Sequence, residues 1–209
     1  MIKGAGMSVL IFILTIVLSL PLGLPVALGE NSRIKPLSFI CKVYVWLFRG
    51  TPLLLQLFFF YFFFPFVLGW QISPFLAVIL TFVVNYAAYF AEIYRGGINS
   101  IDKGQYEAAH VLGLSKHQTM VDIILPQTMK AIMPPIVNEA ITLVKDTALA
   151  SALPVIELMK ATNSAVNTST SMAPFFMAAV IYLVMTFVLT LAAGRMEKYF
   201  ARYDAKEEW

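Results

Sequence analysis

Asn85, Tyr89 and Glu92 stand at i, i+4 and i+7 within an otherwise apolar stretch, a spacing that puts all three on one face of a helix. A second polar set follows further along. Glu139, Thr142 and Asp146 share one helical face, and Asn138, Thr142 and Lys145 share the adjacent one. Ionisable and amide groups are costly in hydrocarbon, so each marks a candidate for a polar path through a membrane. The competing reading is structural: Glu92 pairs with Arg95, Lys145 pairs with a neighbouring carboxylate, and the charges hold helices together. Catalytic chemistry has little to work with. His110 and His117 are the only histidines, and there is no H-E-x-x-H, no G-x-S-x-G and no G-x-x-x-x-G-K-[ST] phosphate loop. The single cysteine, Cys41, has no intrachain disulfide partner, and no Cys/His cluster has metal-ligand spacing. The chain therefore offers no catalytic set and no metal site.

The elements that must carry these residues follow from composition. Of 209 residues, 59% are hydrophobic and 13% charged, against about 25% charged in a soluble domain. With a mean hydropathy of +0.78, about half the chain fits in a bilayer as roughly five helices of ~20 residues. A net charge of +3 is too small to suggest nucleic acid. Five apolar blocks are visible, at residues 7–28, 52–68, 74–93, 127–150 and 174–193. The first contains Pro21 and Pro25 and reads as a kinked span; a signal peptide cleaved near Ala27 is the alternative, for which the apolar stretch is too long. The second carries a run of aromatics from Phe58 to Phe64. Ser73 is placed to cap the third, with Pro74 at its first position. Pro134 and Pro135 predict a kink in the fourth.

Positive charges stay disproportionately on the cytoplasmic side. With the amino terminus outside and the carboxyl terminus cytoplasmic, cytoplasmic segments receive Arg33, Lys35, Lys42, Arg49, Arg95, Lys103, Lys116, Lys130, Arg195, Lys198, Arg202 and Lys206. Only Lys3 and Lys160 oppose this arrangement, and residues 162–171 become an external loop. The cytoplasmic segment at about 96–126 reads as two short helices. Asp102 with Gln105 has the spacing of a capping box, Gly113 is placed to end that helix in a left-handed conformation, Ser115 with Gln118 repeats the box, and Pro126 ends the second helix. Such helices either dock against a partner or lie as a loop on the membrane surface.

The spelling of this segment narrows the choice. Glu107-Ala108-Ala109, three residues, Gly113, nine residues, then Ile123-Ile124-Leu125-Pro126 resembles the EAA signature of membrane permease subunits of bacterial ATP-binding cassette (ABC) importers. Arg49-Gly50-Thr51-Pro52-Leu53, the stretch from Glu92 to Ile98, Lys103-Gly104-Gln105 and Lys145-Asp146-Thr147 are similar to the polar amino acid (histidine, arginine and glutamine type) branch. The resemblance weakens after Ala150. It implies an all-α integral membrane fold, residues 1–209 forming one transmembrane permease domain of five spans with short cytoplasmic coupling helices, in a bacterial inner membrane. It implies partners as well: two ABC ATPase subunits, a second permease copy or a paralogue, an extracytoplasmic amino acid-binding protein and membrane lipid. The chain itself would hold no cofactor and hydrolyse nothing, with ATP and Mg bound by the separate ATPase. Glu107, Ala108, Ala109 and Gly113 would couple to that ATPase.

Substrate charge follows from counting. Glu92, Glu139, Asp146 and Glu157 face one buried cation, Lys145, so an acidic cavity would favour a basic amino acid such as arginine, lysine or histidine. Glutamine or another polar amino acid is the competitor if the carboxylates are neutralised within the protein. Lys145, Asn85 and Asn163 are the candidate donors for a substrate α-carboxylate. The expected substrate-binding set is thus Asn85, Tyr89, Glu92, Glu139, Lys145, Asp146 and Asn163. A channel or a membrane scaffold explains the spans equally well but not the EAA spacing.

Overall fold

The computed structural model describes residues 1–201, with side chains to Arg195. Within that range the chain is helical and no strand is present. The orientation argument also used Lys198, Arg202 and Lys206, whose side chains fall outside the described residues.

Apolar length makes the first helix. α1 runs Ile2–Glu30 as one element through Pro21 and Pro25. Its inward face is built of small residues, Gly4, Ser8, Thr15, Ser19, Gly23 and Ala27, which allow helices to approach closely in a membrane. At Gly23 a Cβ would stand 2.9 Å from Cβ of Phe90 on α4. That close approach explains why α1 and α4 form the most extensive helix pair.

Residues 33–49 are not a simple cytoplasmic connection. They form α2, Lys35–Gly50, which meets α3, Leu53–Leu68, at a bend of 110°. Thr51 is extended before Pro52, as a residue preceding proline prefers. α2 is amphipathic: Phe39, Ile40 and Trp46 are exposed, with Lys35, Lys42 and Arg49 alongside at i, i+7 and i+14. α3 is only 16 residues long, about 24 Å of helix, and ends at Gly69 in a left-handed conformation.

α4, Pro74–Ser100, lies at the centre. Ser73 caps it by accepting from the Leu76 N–H at 3.2 Å. The core gathers on it, with Val78, Phe82, Tyr86 and Phe90 packed against Ile11 of α1, Leu57 of α3 and Leu143. Then come α5, Lys103–Val111; a single turn, α6, Lys116–Gln118; a wider π-helical segment, Thr119–Ile124; and α7, Leu125–Asp146. Pro126 does not end a helix, contrary to expectation. The π segment carries the chain straight into α7, with the Leu125 N–H reaching back five residues to the Met120 carbonyl, so Pro126 falls at the start of α7 where no donor is required. α7 likewise continues through Pro134 and Pro135.

A 3₁₀ turn, Thr147–Ala152, leads to α8, Leu158–Ser169, and α9, Ala173–Ala201. The expected external loop at 162–171 is thus mostly helix. Its polar residues are accommodated because the hydroxyls of Thr162, Thr168 and Ser169 donate to carbonyls one turn back, and the Glu157 carboxylate caps the first turn. By length and composition α1, α4 and α9 are able to cross a membrane, and the bent α2–α3 pair counts as a fourth candidate. α7 is long enough at 22 residues, about 33 Å, but carries Lys130, Glu139, Lys145 and Asp146.

Candidate functional site

Two polar clusters meet between α2, α4 and α7. In the first, Asn85 is 3% exposed and its amide donates to the Phe48 carbonyl and to Gln56 Oε1, both at 2.9 Å. Gln56 in turn donates to Phe48 O at 2.9 Å, Thr51 O at 3.1 Å and Thr51 Oγ1 at 2.7 Å. Asn85 and Gln56 therefore clamp the α2–α3 bend onto α4. One turn on, the Arg49 guanidinium lies 5.4 Å from the centre of the Tyr89 ring and 3.6 Å from Glu92 Oε2. Glu92 also takes two hydrogen bonds from Arg95, one from Nε at 3.2 Å and one from the guanidinium NH₂. The expected Glu92–Arg95 pair is present, and Arg49 joins it.

In the second cluster the Tyr86 hydroxyl, on a side chain 2% exposed, donates to Asp146 Oδ2 at 2.8 Å. Glu139, half-buried one face along α7, lies within electrostatic range of both Asp146 and Arg49. The Tyr86 and Tyr89 rings are 6.0 Å apart. Packing thus brings Tyr89, Glu92 and Glu139 to one region around Arg49, with Asp146 beside Glu139 and bonded to Tyr86. It does not bring Lys145 inward: that side chain is exposed at the last turn of α7, because the buried face there is taken by Leu143 and Val144. The cation facing these carboxylates is Arg49, itself 40% exposed, rather than the buried Lys145 that was expected. Asn163 sits on α8, half-buried. Glu157 belongs to neither cluster. It is fully buried between α1, α8 and α9, accepting from Ser8, Tyr182 and the N–H groups of Met159 and Lys160.

Arg49 and Gln56 were not among the expected site residues. Gln56 had a signal, an amide inside an aromatic block. Arg49 had only its place in the Arg-Gly-Thr-Pro-Leu stretch, since its reach across to α4 depends on the bend.

The coupling segment has well-formed local geometry. Asp102 caps α5 by accepting from the Gly104 N–H at 2.6 Å. The reciprocal half of that box is missing, because Gln105 instead accepts from Gln127 of α7 at 3.3 Å. Gly113 has φ +75, its N–H bonds to His110 O at 3.0 Å and the Leu114 N–H to Ala109 O at 3.1 Å, the paired bonds of a Schellman ending. Both halves of the Ser115–Gln118 box are formed, at 3.0 and 3.2 Å. Ala109 is fully buried against the rest of the chain, whereas Glu107, Ala108, Val111 and Leu112 are exposed, the last two 86% and 75%. α5 therefore presents one apolar-and-acidic face outward that none of the described residues covers.

The model of the binding-protein-dependent transport system inner membrane component family matches residues 19–201. The chain belongs to that family. It is the membrane-embedded permease subunit of an ABC transporter, not an enzyme, and ATP hydrolysis resides in a separate subunit, in keeping with the missing phosphate loop. Among similar proteins is the arginine transport system permease protein ArtQ of Bacillus subtilis (strain 168), 38% identical over 97% of this chain and 93% of its own. Others are a putative glutamine transport system permease protein GlnP of Rickettsia felis, 36% identical over 94% and 91%, and the L-cystine transport system permease protein TcyB of Bacillus subtilis (strain 168), 36% identical over 97% and 87%. A crystal structure of an amino acid ABC transporter with histidines superposes with a TM-score of 0.89 at 33% identity, covering 95% of this chain and 92% of that one.

Proposed function

We propose that the chain is the permease subunit of an ATP-driven importer for amino acids, spanning the inner membrane five times through α1, α3, α4, α7 and α9, with the amino terminus outside and the carboxyl terminus cytoplasmic. Relatives named for arginine, glutamine and cystine support the amino acid class. The observation that carries the reading is the uncovered face of α5, Glu107, Ala108, Val111 and Leu112, on a helix fixed at both ends by side-chain and backbone caps. Two ATPases, each holding ATP and Mg, draw together, and the α5 of each permease is carried with them. The permease pair is this chain with a second copy or a paralogue.

The motion reaches the spans through α7, into which α6 and the π segment run without a break and to which α5 is tied by the Gln127–Gln105 hydrogen bond. α7 carries Glu139 and Asp146, so its displacement changes the polar region facing Tyr89 and Glu92. A substrate delivered by an extracytoplasmic binding protein then passes by alternating access. Glu139 and Asp146 hold the cationic side chain of the substrate; of the expected α-carboxylate donors, Asn85 spends its amide on Phe48 O and Gln56 Oε1 and Lys145 points outward, which leaves Asn163. A basic side chain is favoured by the carboxylates. Glutamine is the second reading, favoured by one observation: Arg49 and Arg95 already offset the charge of Glu92. The test is to co-purify the permease with its ATPase, reconstitute ATP-dependent uptake and identify bound small molecules by mass spectrometry. Arginine or lysine supports the first reading, glutamine the second, and conductance without ATP refutes both.

A further inference from the structure

We propose that the cavity between the α1–α2 turn and the inner side of α5 binds the phosphate headgroup of an anionic phospholipid from the cytoplasmic leaflet. The cavity measures ≈ 380 Å³, far more than the ~30 Å³ share of one water, and suits a phosphoglycerol group. Arg33, Lys116 and His110 line it together with Tyr106, Leu114 and Met120. Among the described residues no carboxylate lines it. Arg33 and Lys116 come from distant parts of the sequence and are brought together only by folding. Among the described residues neither enters an ion pair, so their charge is available to a ligand. Leu114 and Met120 give the same cavity an apolar wall, fitting a ligand with both an anionic and a hydrocarbon part.

Two further observations select a lipid over the partner ATPase. α2 begins directly after the turn that carries Arg33, and the exposed Phe39 and Ile40 of its first half, flanked by Lys35 and Lys42, form the pattern of a helix start lying in the bilayer interface. Arg33 is thereby held at headgroup depth, where basic pockets between membrane helices attract anionic lipid. Tyr106 and His110 flank the buried Ala109 on the inner side of α5, while Glu107, Ala108, Val111 and Leu112 face the other way. A subunit docked on the outer face leaves the cavity open to lipid. The proposal rests on the cytoplasmic placement of α5 given above.

The test titrates the purified permease and ATPase complex with phosphatidylglycerol or phosphatidylcholine and counts bound lipid by native mass spectrometry. Phosphatidylglycerol should remain bound where phosphatidylcholine is lost. The double variant Arg33→Gln, Lys116→Gln should weaken it about thirtyfold, from roughly fivefold per cation. The charge-preserving Arg33→Lys, Lys116→Arg should retain binding, and removing equal charge by Lys35→Gln, Lys42→Gln should change it severalfold less. Equal retention of both lipids, or unchanged retention in the double variant, overturns the proposal. Displacement by millimolar inorganic phosphate would make the site one for a small soluble anion, and loss of the ATPase with lipid binding intact would assign the surface to the partner; either result refutes the lipid assignment. Labelling of Ser115→Cys from outside would overturn the orientation, and intact transport in Glu107→Lys would overturn the coupling reading while leaving the lipid count to stand by itself.

Discussion

Replacing Asn85 by alanine separates a clamp from a ligand. Asn85 makes two hydrogen bonds at 2.9 Å from a site 3% exposed, one to Phe48 O and one to Gln56 Oε1. Phe48 O keeps a second donor, Gln56 Nε2, in the variant, so the main loss falls on Gln56 Oε1, left without Asn85. A hydrogen bond contributes about 1 kcal/mol net in water-soluble proteins and an orphaned buried acceptor costs about 1–3 kcal/mol, but hydrogen bonds between membrane helices average only about 0.6 kcal/mol. The two bonds at that membrane value, with the orphan at the lower end of its range, together give about 2 kcal/mol. At 2–4 °C per kcal/mol for a chain of this size, Tm in detergent should fall by about 4–8 °C. Uptake should fall with it for every substrate alike, because the bend between α2 and α3 loosens from α4. The companion variant Gln56→Leu, Asn85→Leu removes both side-chain donors to Phe48 O and those to Thr51, and should lose more than Asn85→Ala alone. The assay is thermal unfolding beside binding of arginine and of glutamine on the same preparation. An Asn85→Ala protein with unchanged Tm and abolished binding of one amino acid would refute the clamp and make Asn85 a ligand.

Gly113→Val places a β-branched side chain at φ +75, a strain of about 1–3 kcal/mol, and should abolish substrate-stimulated ATP hydrolysis while the permease still inserts; unchanged transport would refute the coupling role. Glu107→Lys reverses the charge on the uncovered face of α5 and should have the same effect without destabilising the permease alone. In a Cys41→Ser background, single cysteines at Asn167 or Thr168 should label from outside and one at Ser115 only after permeabilisation, and the reverse pattern would overturn the orientation. Glu139→Gln should weaken arginine binding by about tenfold, the worth of a charge contact of ~1.4 kcal/mol, and glutamine binding less. Glu92→Gln should instead lower complex stability, because Glu92 is already held by Arg49 and Arg95.

Much of this protein is written in local sequence. Apolar length fixed α1, α4 and α9 as candidate spans, because a helix buries its own backbone groups and needs only enough apolar residues to cross hydrocarbon. The caps at Ser73 and Ser115 and the left-handed Gly113 were legible for the same reason: each depends on residues within four positions. Other local signals failed where a distant contact competed. Gln105 did not close the box with Asp102 because Gln127 takes its side chain. Residues 162–169 became helix because Glu157, held by Ser8 and Tyr182 from two other helices, caps them. The site divides along the same line. Periodicity placed Asn85, Tyr89 and Glu92 on one face, and Glu139 and Asp146 on another, since a helical face is set by spacing alone. Which faces meet was decided by tertiary packing. The 110° bend turns α2 back so that Arg49 reaches Tyr89 and Glu92, and the burial of Leu143 and Val144 turns Lys145 outward. A rotation about a two-residue hinge leaves no periodic trace in the sequence, so the cation of this region was readable only from the folded chain.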